Sequence, residues 1–536
     1  MKTNVDGWAV EEMERAEDGM NAEVLPGTEI MVDAGKGGFD RDRTTLVPQA
    51  SDSPDDPLNW SPFWKGSAIF AASCATFTQG FSVLAVAPMF PVLMDEFNRP
   101  LSDVIKFTGV TIIALGFSNF FWVPMSTSNG RRVVLILSQT ICLISYIWRA
   151  RSTSCGSFMG SIILNGIGAG PSETLQPSVV ADLFSLEARG KWNTLYWALS
   201  MGSAMISPVI SGIMTDRAGW QSFYYLSAAL TVFSLMTILF GFPETTWHRG
   251  QKRVDGGNKA WAEIITEIRV EEATQTDLSP PRSYVGIGKP SRTQWRVFQL
   301  TPLTWKSIRH ELWMPWKLFS FPIVLFASLV ISWSCSGLLL VNLTQSQVFS
   351  SAPYNWSAES VGYTNLALLA GVIIGLLTAG PFSDWVCARA TARNGGIREA
   401  EMRLPAMIPY VLLMIAGHII PAMGYQQQWS WGPIVMIGYA CAGIQVAGIP
   451  GIVSTYAVDS YKTVAGPLFV GISISKNMWG YGMSEFVTRW TEQAGFLPVF
   501  MMNMGLSIFL CSLGIVFYYH GKTFRRWTSQ SSVHKE

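Results

Sequence analysis

Charged residues are scarce in this chain. They make up 14% of its 536 residues, whereas a soluble globular protein carries about 25%. The charges that are present gather in residues 1–60, in residues 244–315 and at the extreme C-terminus, and long apolar runs fill the rest. A run of about 20 apolar residues is enough to cross the hydrocarbon core of a bilayer. The composition therefore excludes a string of soluble domains and predicts a protein that crosses the membrane many times.

Cysteine and histidine are too few and too scattered to form a site. The seven cysteines stand singly, mostly inside apolar runs, and the five histidines are equally dispersed. Neither a disulfide framework nor a metal site is expected from that spacing. A net charge of +1 also excludes a nucleic-acid surface as the main theme of the protein. We expect no cofactor and no nucleic-acid partner.

A phosphate-binding loop is missing as well. The nearest match ends in Gly521-Lys522-Thr523, but the first glycine of that pattern would fall on Val516, inside an apolar run. Transport by this chain would have to draw on an ion gradient or only facilitate diffusion, and we do not expect an enzyme. Residues 1–60 lack the apolar core of a signal peptide, so the first span is expected to direct membrane insertion.

Hydropathy windows predict twelve helical spans rather than the alternating strands of a barrel. Six spans precede a long polar segment and six follow it. The predicted fold class is an all-α membrane protein of two six-helix halves, which many secondary transporters build around a midplane site. The spans are expected at about 66–92, 104–126, 132–150, 157–182, 194–214, 222–242, 318–342, 359–381, 404–423, 432–457, 465–488 and 496–519.

The polar segments set the predicted domain boundaries. The middle segment contains paired glycines, paired prolines and mixed charge, which is typical of a flexible or partly helical connection. The expected parts are a largely disordered N-terminal segment (1–63), the first half (64–243), a linker (244–317), the second half (318–520) and a tail (521–536).

Basic residues in the short loops predict the orientation. With both termini in the cytosol, the inner loops and the tail hold twice as many lysines and arginines as the outer loops. The sequon Asn355-Trp356-Ser357 then falls in an outer loop, where glycosylation is possible. We expect a monomeric, multi-pass plasma-membrane protein with cytosolic termini and a glycan on Asn355.

Two charged residues lie well inside the predicted spans. Glu173 is in span four and Lys476 is in span eleven, at roughly 12 Å and 16 Å from the cytosolic ends of their helices. A charge inside the membrane is costly and by default faces a cavity or a partner. We predict that the two face one central cavity and are coupled, directly or through a substrate. The alternative is that Glu173 lies nearer the cytosol and reaches water.

Uncharged polar residues inside the spans are further candidates for binding a substrate or a proton. Asn477 and Trp479 follow Lys476 in span eleven, and the cavity wall is expected to include aromatic residues such as Trp479 and Tyr481. For the other candidates a hydrogen bond between helices is the competing role, and His418 is expected to be structural. These other candidates are Asn165, Asn342, Gln345, Asn365 and Gln445.

Motifs at helix ends and bends are candidates for gating. Arginines beside a cytosolic loop either anchor the chain electrostatically or form a latch that holds the inner side closed. Small residues around a proline suit close helix packing or bending during a transport cycle. The candidates are Gly130, Arg131 and Arg132 after span two, Pro208 and Gly212 in span five, and Asp384 after span eight.

Longer motifs occur at four places: Asp56–Ser61 before span one, Asn165–Thr174 in span four, Pro243–Thr245 after span six and Asp384–Leu404 after span eight. Together they resemble the major facilitator superfamily, specifically its fungal twelve-span drug:proton antiporter branch, over nearly the whole chain from about residue 45. The resemblance implies a transporter that exports a drug, toxin or secondary metabolite by alternating access, as in multidrug resistance. It also implies exchange for protons, and a buried carboxylate such as Glu173 is then the expected carrier.

The sequence differs from the pattern of that family in three of its motifs. The stretch Ser126–Asn129 holds no acid where an aspartate is usual, and Ile162 stands where an arginine linked to proton movement is expected. Ser207 and Ser211 occupy glycine positions of the motif in span five. Two other interpretations therefore stay open: proton-coupled uptake of an organic cation attracted by Glu173, and a transporter-like receptor that signals through its linker.

Overall fold

The computed structural model describes residues 28–30, 51, 53–184, 186–247, 286–296, 305–394, 397–461 and 465–529. Most of the predicted N-terminal segment and linker, and the end of the tail, lie outside the described residues. The described chain is almost entirely helical. Helices are expected here because a bilayer offers no water to satisfy free backbone groups.

Six long helices, α1 to α6, form the N-terminal half. A helix at Phe90–Phe97 and a turn of helix at Leu101–Val104 connect α1 to α2, and the fourth helix is broken into two pieces, α4a and α4b. The bounds are α1 Pro62–Gly80, α2 Lys106–Asn129, α3 Arg131–Ala150, α4a Cys155–Ala169, α4b Pro171–Leu183, α5 Leu186–Ala218 and α6 Trp220–Gly241.

Six further long helices, α7 to α12, form the C-terminal half. A helix at Trp305–Leu318, here called the linker helix, precedes α7, and a short helix at Ala358–Tyr363 precedes α8. A 3-10 segment, Ala400–Met407, leads into α9, and a π-helical segment, Pro433–Tyr439, leads into α10. The bounds are α7 Pro322–Phe349, α8 Asn365–Arg393, α9 Ile408–Gln426, α10 Ala440–Ser460, α11 Ala465–Ala494 and α12 Phe496–Ser529.

Two short strands join the start of the chain to the second half. Strand β1, Thr28–Ile30, pairs antiparallel with β2, Ile397–Glu399, so that Thr28 lies opposite Glu399. Because β2 connects α8 to α9, the N-terminal segment contacts the C-terminal half. The sequence patterns above did not indicate this pair.

Nine helices in the described part of the chain are long and apolar enough to cross a membrane. Spans one, four and eleven are not among the nine. The two pieces of α4 have 15 and 13 residues, each too short to cross alone. Helix α11 has the length, but it carries Lys476 and the charged residues Glu485 and Arg489.

Span one is shorter than expected. The hydropathy pattern predicts one helix over 66–92, whereas α1 ends at Gly80 and a 3-10 turn, Ala87–Met89, follows. Residues between them, such as Phe81 and Val86, are buried among other helices. Irregular backbone at membrane depth is tolerated where protein surrounds it, and apolarity alone does not separate such a segment from a helix.

The halves meet along two helix pairs. Helix α2 of the first half packs against α11 of the second, and α5 packs against α8. Glycine permits the close approach: a Cβ on Gly116 of α2 would lie 3.1 Å from Nδ2 of Asn477 on α11. These two pairs hold the first half against the second.

Candidate functional site

The break in α4 places Glu173 in the first turn of α4b. Gly170 lies against α2, where a Cβ would meet Trp122 Cδ1 at 3.1 Å, and Pro171 begins the new helix at its N1 position. Proline suits N1 because its missing N–H has no partner there in any case. The break therefore places the Glu173 carboxylate near the start of a helix, within the first half.

Glu173 binds two side chains of the opposite half. The ammonium group of Lys476 donates to Oε1 in a close ion pair, and Asn477 Nδ2 donates to Oε2 at 3.0 Å. The side chains of Lys476 and Glu173 are 16% and 17% exposed. The two residues predicted from their depth alone thus meet across the boundary between the halves.

The ion pair lines a cavity shared by both halves. The cavity is about 30 Å³, which leaves room for no more than a few water molecules. Its walls come from α4b and α5 on one side and from α7, α10 and α11 on the other. The wall includes Tyr196, Trp197, Ser200, Met201, Ile331, Pro450, Ser454, Phe469, Ile472 and Ser473.

The aromatic wall differs from the expected one. Trp197 and Phe469 line the cavity, and the Tyr196 hydroxyl donates to Ser172 O at 2.7 Å. Trp479 is 40% exposed and packs on Trp333, with 5.1 Å between the ring centroids, outside this lining. Counting along α11 identified an aromatic residue near Lys476 but not the face it occupies, because the rotation of α11 depends on its neighbours.

Three predicted polar residues lie away from the ion pair and join helices within their own halves. Asn165 accepts from Ser82 at 2.7 Å, and Gln445 accepts from Ser334 at 2.8 Å. Asn365 Nδ2 donates to Gln345 Oε1 at 3.2 Å.

His418 also joins helices inside its half. One ring nitrogen contacts the backbone oxygen of Met414 at 2.8 Å and the other contacts Asn503 Oδ1 at 3.0 Å. Arg149, in the last turn of α3, is a buried polar residue that was not among the sequence candidates. It is fully buried, with its guanidinium over the rings of Phe158 and Tyr224.

The end of the molecule that is predicted to face outward, here called the outer side, is closed by contacts around the motif in α5. A Cβ on Gly212 would lie 3.3 Å from Gly362 Cα, and one on Gly362 would lie 3.3 Å from Val209 Cα, so the backbones nearly touch beside Pro208. Arg217 adds an ion pair to Glu359, with Nη2 and Oε1 2.6 Å apart.

The helix at Ala358–Tyr363 is also capped from the other half. The Glu359 amide donates to Asp216 Oδ2 at 2.8 Å, and Tyr363 OH donates to Glu359 Oε1 at 2.7 Å. A carboxylate suits the start of a helix, where backbone N–H groups are free. The sequence patterns did not indicate Asp216 or Glu359, because their contact joins two segments that lie 143 positions apart in the chain.

The Gly130 motif is held by a carboxylate from the end of the first half. Gly130 has φ +95°, a conformation that glycine adopts without strain. Glu244 then accepts from the amides of Arg131 at 3.0 Å and Arg132 at 2.9 Å, which caps α3. The Arg131 side chain forms a close ion pair with Asp182. Glu244 therefore supplies a negative charge at a loop in which the usual aspartate is missing.

The second half carries a larger charge cluster at the end that is predicted to face the cytosol. Arg403 bridges Asp384 at 2.6 Å and Asp459 at 2.7 Å. Arg525, fully buried, bridges Glu399 at 2.5 Å and Glu401 at 2.7 Å. Asp384 thus belongs to a cluster inside its own half.

Glu399 shows what that cluster does to a carboxyl group. Burial pushes its pKa up, but Lys522 and Arg525 stabilise the charged form and hold the pKa below the ordinary value. Because the pKa is lower in the folded state, the charged carboxylate stabilises the folded protein. This stabilisation is present above the unfolded-state pKa and is lost as the pH falls through the folded-state pKa.

The comparisons with known proteins agree with this architecture. The model of the Major Facilitator Superfamily matches residues 72–484. The chain belongs to the Major Facilitator Superfamily. The fold is therefore that of twelve transmembrane helices in two six-helix halves.

Members of this superfamily with similar sequences come from fungi. An uncharacterized MFS-type transporter of Schizosaccharomyces pombe is 24% identical over 90% of this chain and 88% of its own length. The efflux pump radE of Floropilus chiversii is 21% identical over 94% of this chain and 90% of its own. Among solved structures, a partially occluded inward open conformation of the xylose transporter XylE from E. coli superimposes with a TM-score of 0.57 at 13% identity. That superposition covers 85% of this chain and 98% of the other, and it concerns the fold alone.

Proposed function

We propose that this chain is a secondary active transporter that exports a small organic molecule in exchange for protons by alternating access. The observation that carries the proposal is the Glu173–Lys476 ion pair, which joins the two halves inside a cavity that both halves line. The name of the relative from Floropilus chiversii, an efflux pump, favours export. No covalent bond of the transported molecule is made or broken in this cycle.

The pair offers a means to couple a proton to the movement of the halves. As an anion, Glu173 binds Lys476 and Asn477 of the opposite half. Protonation would remove the charge that holds Lys476, and a cationic group of the substrate would compete for the same carboxylate. Proton and substrate would therefore displace the same contact, which is the requirement for exchange of one against the other.

The test uses purified protein in liposomes with an imposed pH gradient. Tetraphenylphosphonium, ethidium and a panel of hydrophobic drugs serve as probes for wild type and for Glu173→Gln, which keeps the shape but cannot ionise. Glu492→Gln alters an exposed carboxylate near the outer end of α11 and is the matched control. Gradient-driven flux in wild type and the control, lost in Glu173→Gln, supports the proposal. Flux that ignores both the gradient and the mutation would indicate a uniporter.

Uptake of an organic cation is the second candidate, because a carboxylate that binds the Lys476 amine could also bind the cationic group of an incoming substrate. Direction separates the two candidates. Cells that lack an exporter accumulate the probe above wild-type level, whereas cells that lack an importer take up less. Ethidium fluorescence in intact cells distinguishes these outcomes directly.

We also propose that the protein is a monomer in the plasma membrane, with cytosolic termini and a glycan on Asn355. Asn355 is exposed in the loop between α7 and the helix at Ala358–Tyr363, and Ser357 of the sequon caps that helix. Treatment with an endoglycosidase should increase the mobility of wild type on a gel and leave Asn355→Gln unchanged. Equal mobility of both proteins before treatment would contradict the glycan.

A further inference from the structure

In the outer part of the C-terminal half, four buried residues carry five polar side-chain atoms that have no hydrogen-bond partner among the described residues. All the side chains are buried, and Asn342 is 0% exposed. Buried polar groups are normally paired, because leaving them unpaired is costly. A concentration of unpaired atoms in one place therefore points to a partner that binds there in another state. The atoms are Asn342 Nδ2 and Oδ1, Gln345 Nε2, Ser346 Oγ and Asn365 Oδ1.

These residues form one surface. Gln345 and Ser346 lie three and four residues after Asn342 on α7, which places them on the same face of the helix as Asn342. Gln345 Oε1 accepts from Asn365 Nδ2 at 3.2 Å and from Thr364 Oγ1 at 2.9 Å, which joins that face to the start of α8. We call Asn342, Gln345, Ser346 and Asn365 the outer amide face.

The outer amide face lies beside the contact that closes the outer side. Asn365 follows Gly362 by three residues, and Gly362 packs against Val209 of α5 in the other half. Apolar residues of the outer part of α7 belong to the same buried cluster as Val86 and Met89 of the N-terminal half. Separation of the halves at this contact would therefore uncover the face toward the space between them.

We propose that the outer amide face is a second substrate-binding site. It binds uncharged hydroxyl, carbonyl or amide groups of the transported molecule when the outer side is open. The proposal rests on the transport function above and extends it to the chemistry of the substrate. The central cavity offers the carboxylate of Glu173 and the ammonium group of Lys476, whereas the outer amide face offers neutral hydrogen-bond donors and acceptors. A few such polar groups in an otherwise apolar wall are typical of sites that orient small molecules.

The first experiment measures whether position 342 opens to the outside. Intact cells that carry Asn342→Cys are treated with a membrane-impermeant methanethiosulfonate, and wild type gives the background from the native cysteines. Thr344→Cys is the matched buried control, because Thr344 is on the same helix with its hydroxyl bonded to Leu340 O at 2.8 Å. Ser351→Cys in the exposed outer loop shows that the reagent works. We expect position 342 to react at least about tenfold faster than position 344.

The second experiment separates recognition from exposure. Asn342→Leu removes the amide and keeps the branching of the side chain at Cγ. Ethidium carries aromatic amines that donate hydrogen bonds, and tetraphenylphosphonium carries no such group. We expect the half-saturating concentration of ethidium to rise about tenfold, with that of tetraphenylphosphonium unchanged.

Equal changes in the half-saturating concentrations of the two probes would overturn the proposal of a second binding site. An unreactive cysteine at position 342 together with a reactive one at position 351 would overturn it as well. Failure of the proposed transport function is a different result. In that case wild type moves neither probe, and the thiol reactions still decide whether the face opens.

Discussion

Two ion pairs in the described part of the chain join the halves, with the same chemistry in different surroundings. Glu173 and Lys476 meet inside the central cavity, with both side chains about one-sixth exposed. Arg217 and Glu359 meet at the outer surface, where the arginine side chain is 67% exposed. A pair in water contributes little because solvent screens it, whereas removing one partner of a buried pair leaves the other charge uncompensated. We therefore propose that the transport cycle depends on the central pair.

The outer closure depends on shape more than on charge. Gly212 and Gly362 let the backbones of α5 and the helix at Ala358–Tyr363 approach within van der Waals contact. Asp216 adds a hydrogen bond to a backbone amide of the same helix. The cavity offers the opposite arrangement, in which a carboxylate with two donors spans the gap. Charge at the centre can respond to a proton, and shape at the outside cannot.

The largest effect is expected from Lys476→Met. The substitution leaves Glu173 buried with Asn477 as its remaining partner, and an uncompensated buried charge costs about 3 kcal/mol or more. Gradient-driven flux should fall at least about 100-fold, and the melting temperature of the purified protein should fall too. Arg217→Ala is the comparison variant. Equal losses in the two variants would break the distinction between the pairs.

A smaller but more specific effect is expected when the central charges are exchanged. The double variant Glu173→Lys with Lys476→Glu restores an ion pair with reversed polarity. It should recover a part of the melting temperature that Glu173→Lys alone loses, because contacting residues are not additive. Thermal unfolding of both single variants and of the double variant measures this coupling. A double variant no more stable than either single variant would contradict direct pairing.

Gly212→Val tests the shape of the outer closure. The new side chain would meet the backbone of Ala358 and Gly362, and overpacking of this kind costs about 1–3 kcal/mol. The closed outer state should lose population, so thiol modification in the Asn342→Cys background should accelerate. Gly202→Val is the control on the same helix, since a Cβ there would meet open space. Similar acceleration in both variants would mean that the contact is not what closes the outer side.

The smallest effect is expected from Arg217→Ala. An exposed ion pair is screened by salt and solvent, so flux should stay within about threefold of wild type at physiological salt. The remaining difference should shrink as the salt concentration rises. Flux assays at low and high salt check this, and a loss as large as that of Lys476→Met would contradict the account.

The sequence allowed the fold to be predicted because each apolar run must cross the bilayer as a helix. The prediction fails at two places: after Gly80, where a buried turn follows α1, and at Gly170, where α4 breaks. Both segments are apolar, and hydropathy does not distinguish a helix from irregular backbone that neighbouring helices enclose. The twelve-helix architecture was confirmed by the family and the fold, while the domain boundaries stay a prediction.

For the candidate site, the sequence allowed only the depth of its charged residues in the membrane to be predicted. Counting residues placed Glu173 and Lys476 at similar levels, and the structure brings them into contact. The rotation of a helix about its axis depends on its packing, so Trp197 and Phe469 were missed while Trp479 was expected. Contacts between distant segments, such as Arg217 with Glu359 or Glu244 with the start of α3, leave no local pattern in the chain.

The most direct test of the central claim measures protons and substrate together. Liposomes that contain the purified protein are loaded with a pH-sensitive dye, and ethidium is added without an imposed pH gradient. The account predicts that inward movement of ethidium drives protons out of the vesicles in wild type and in Glu492→Gln, and that Glu173→Gln abolishes this proton movement. Ethidium movement without a pH change in wild type, or an unchanged proton signal in Glu173→Gln, would contradict a proton-coupled exchange at the Glu173–Lys476 pair.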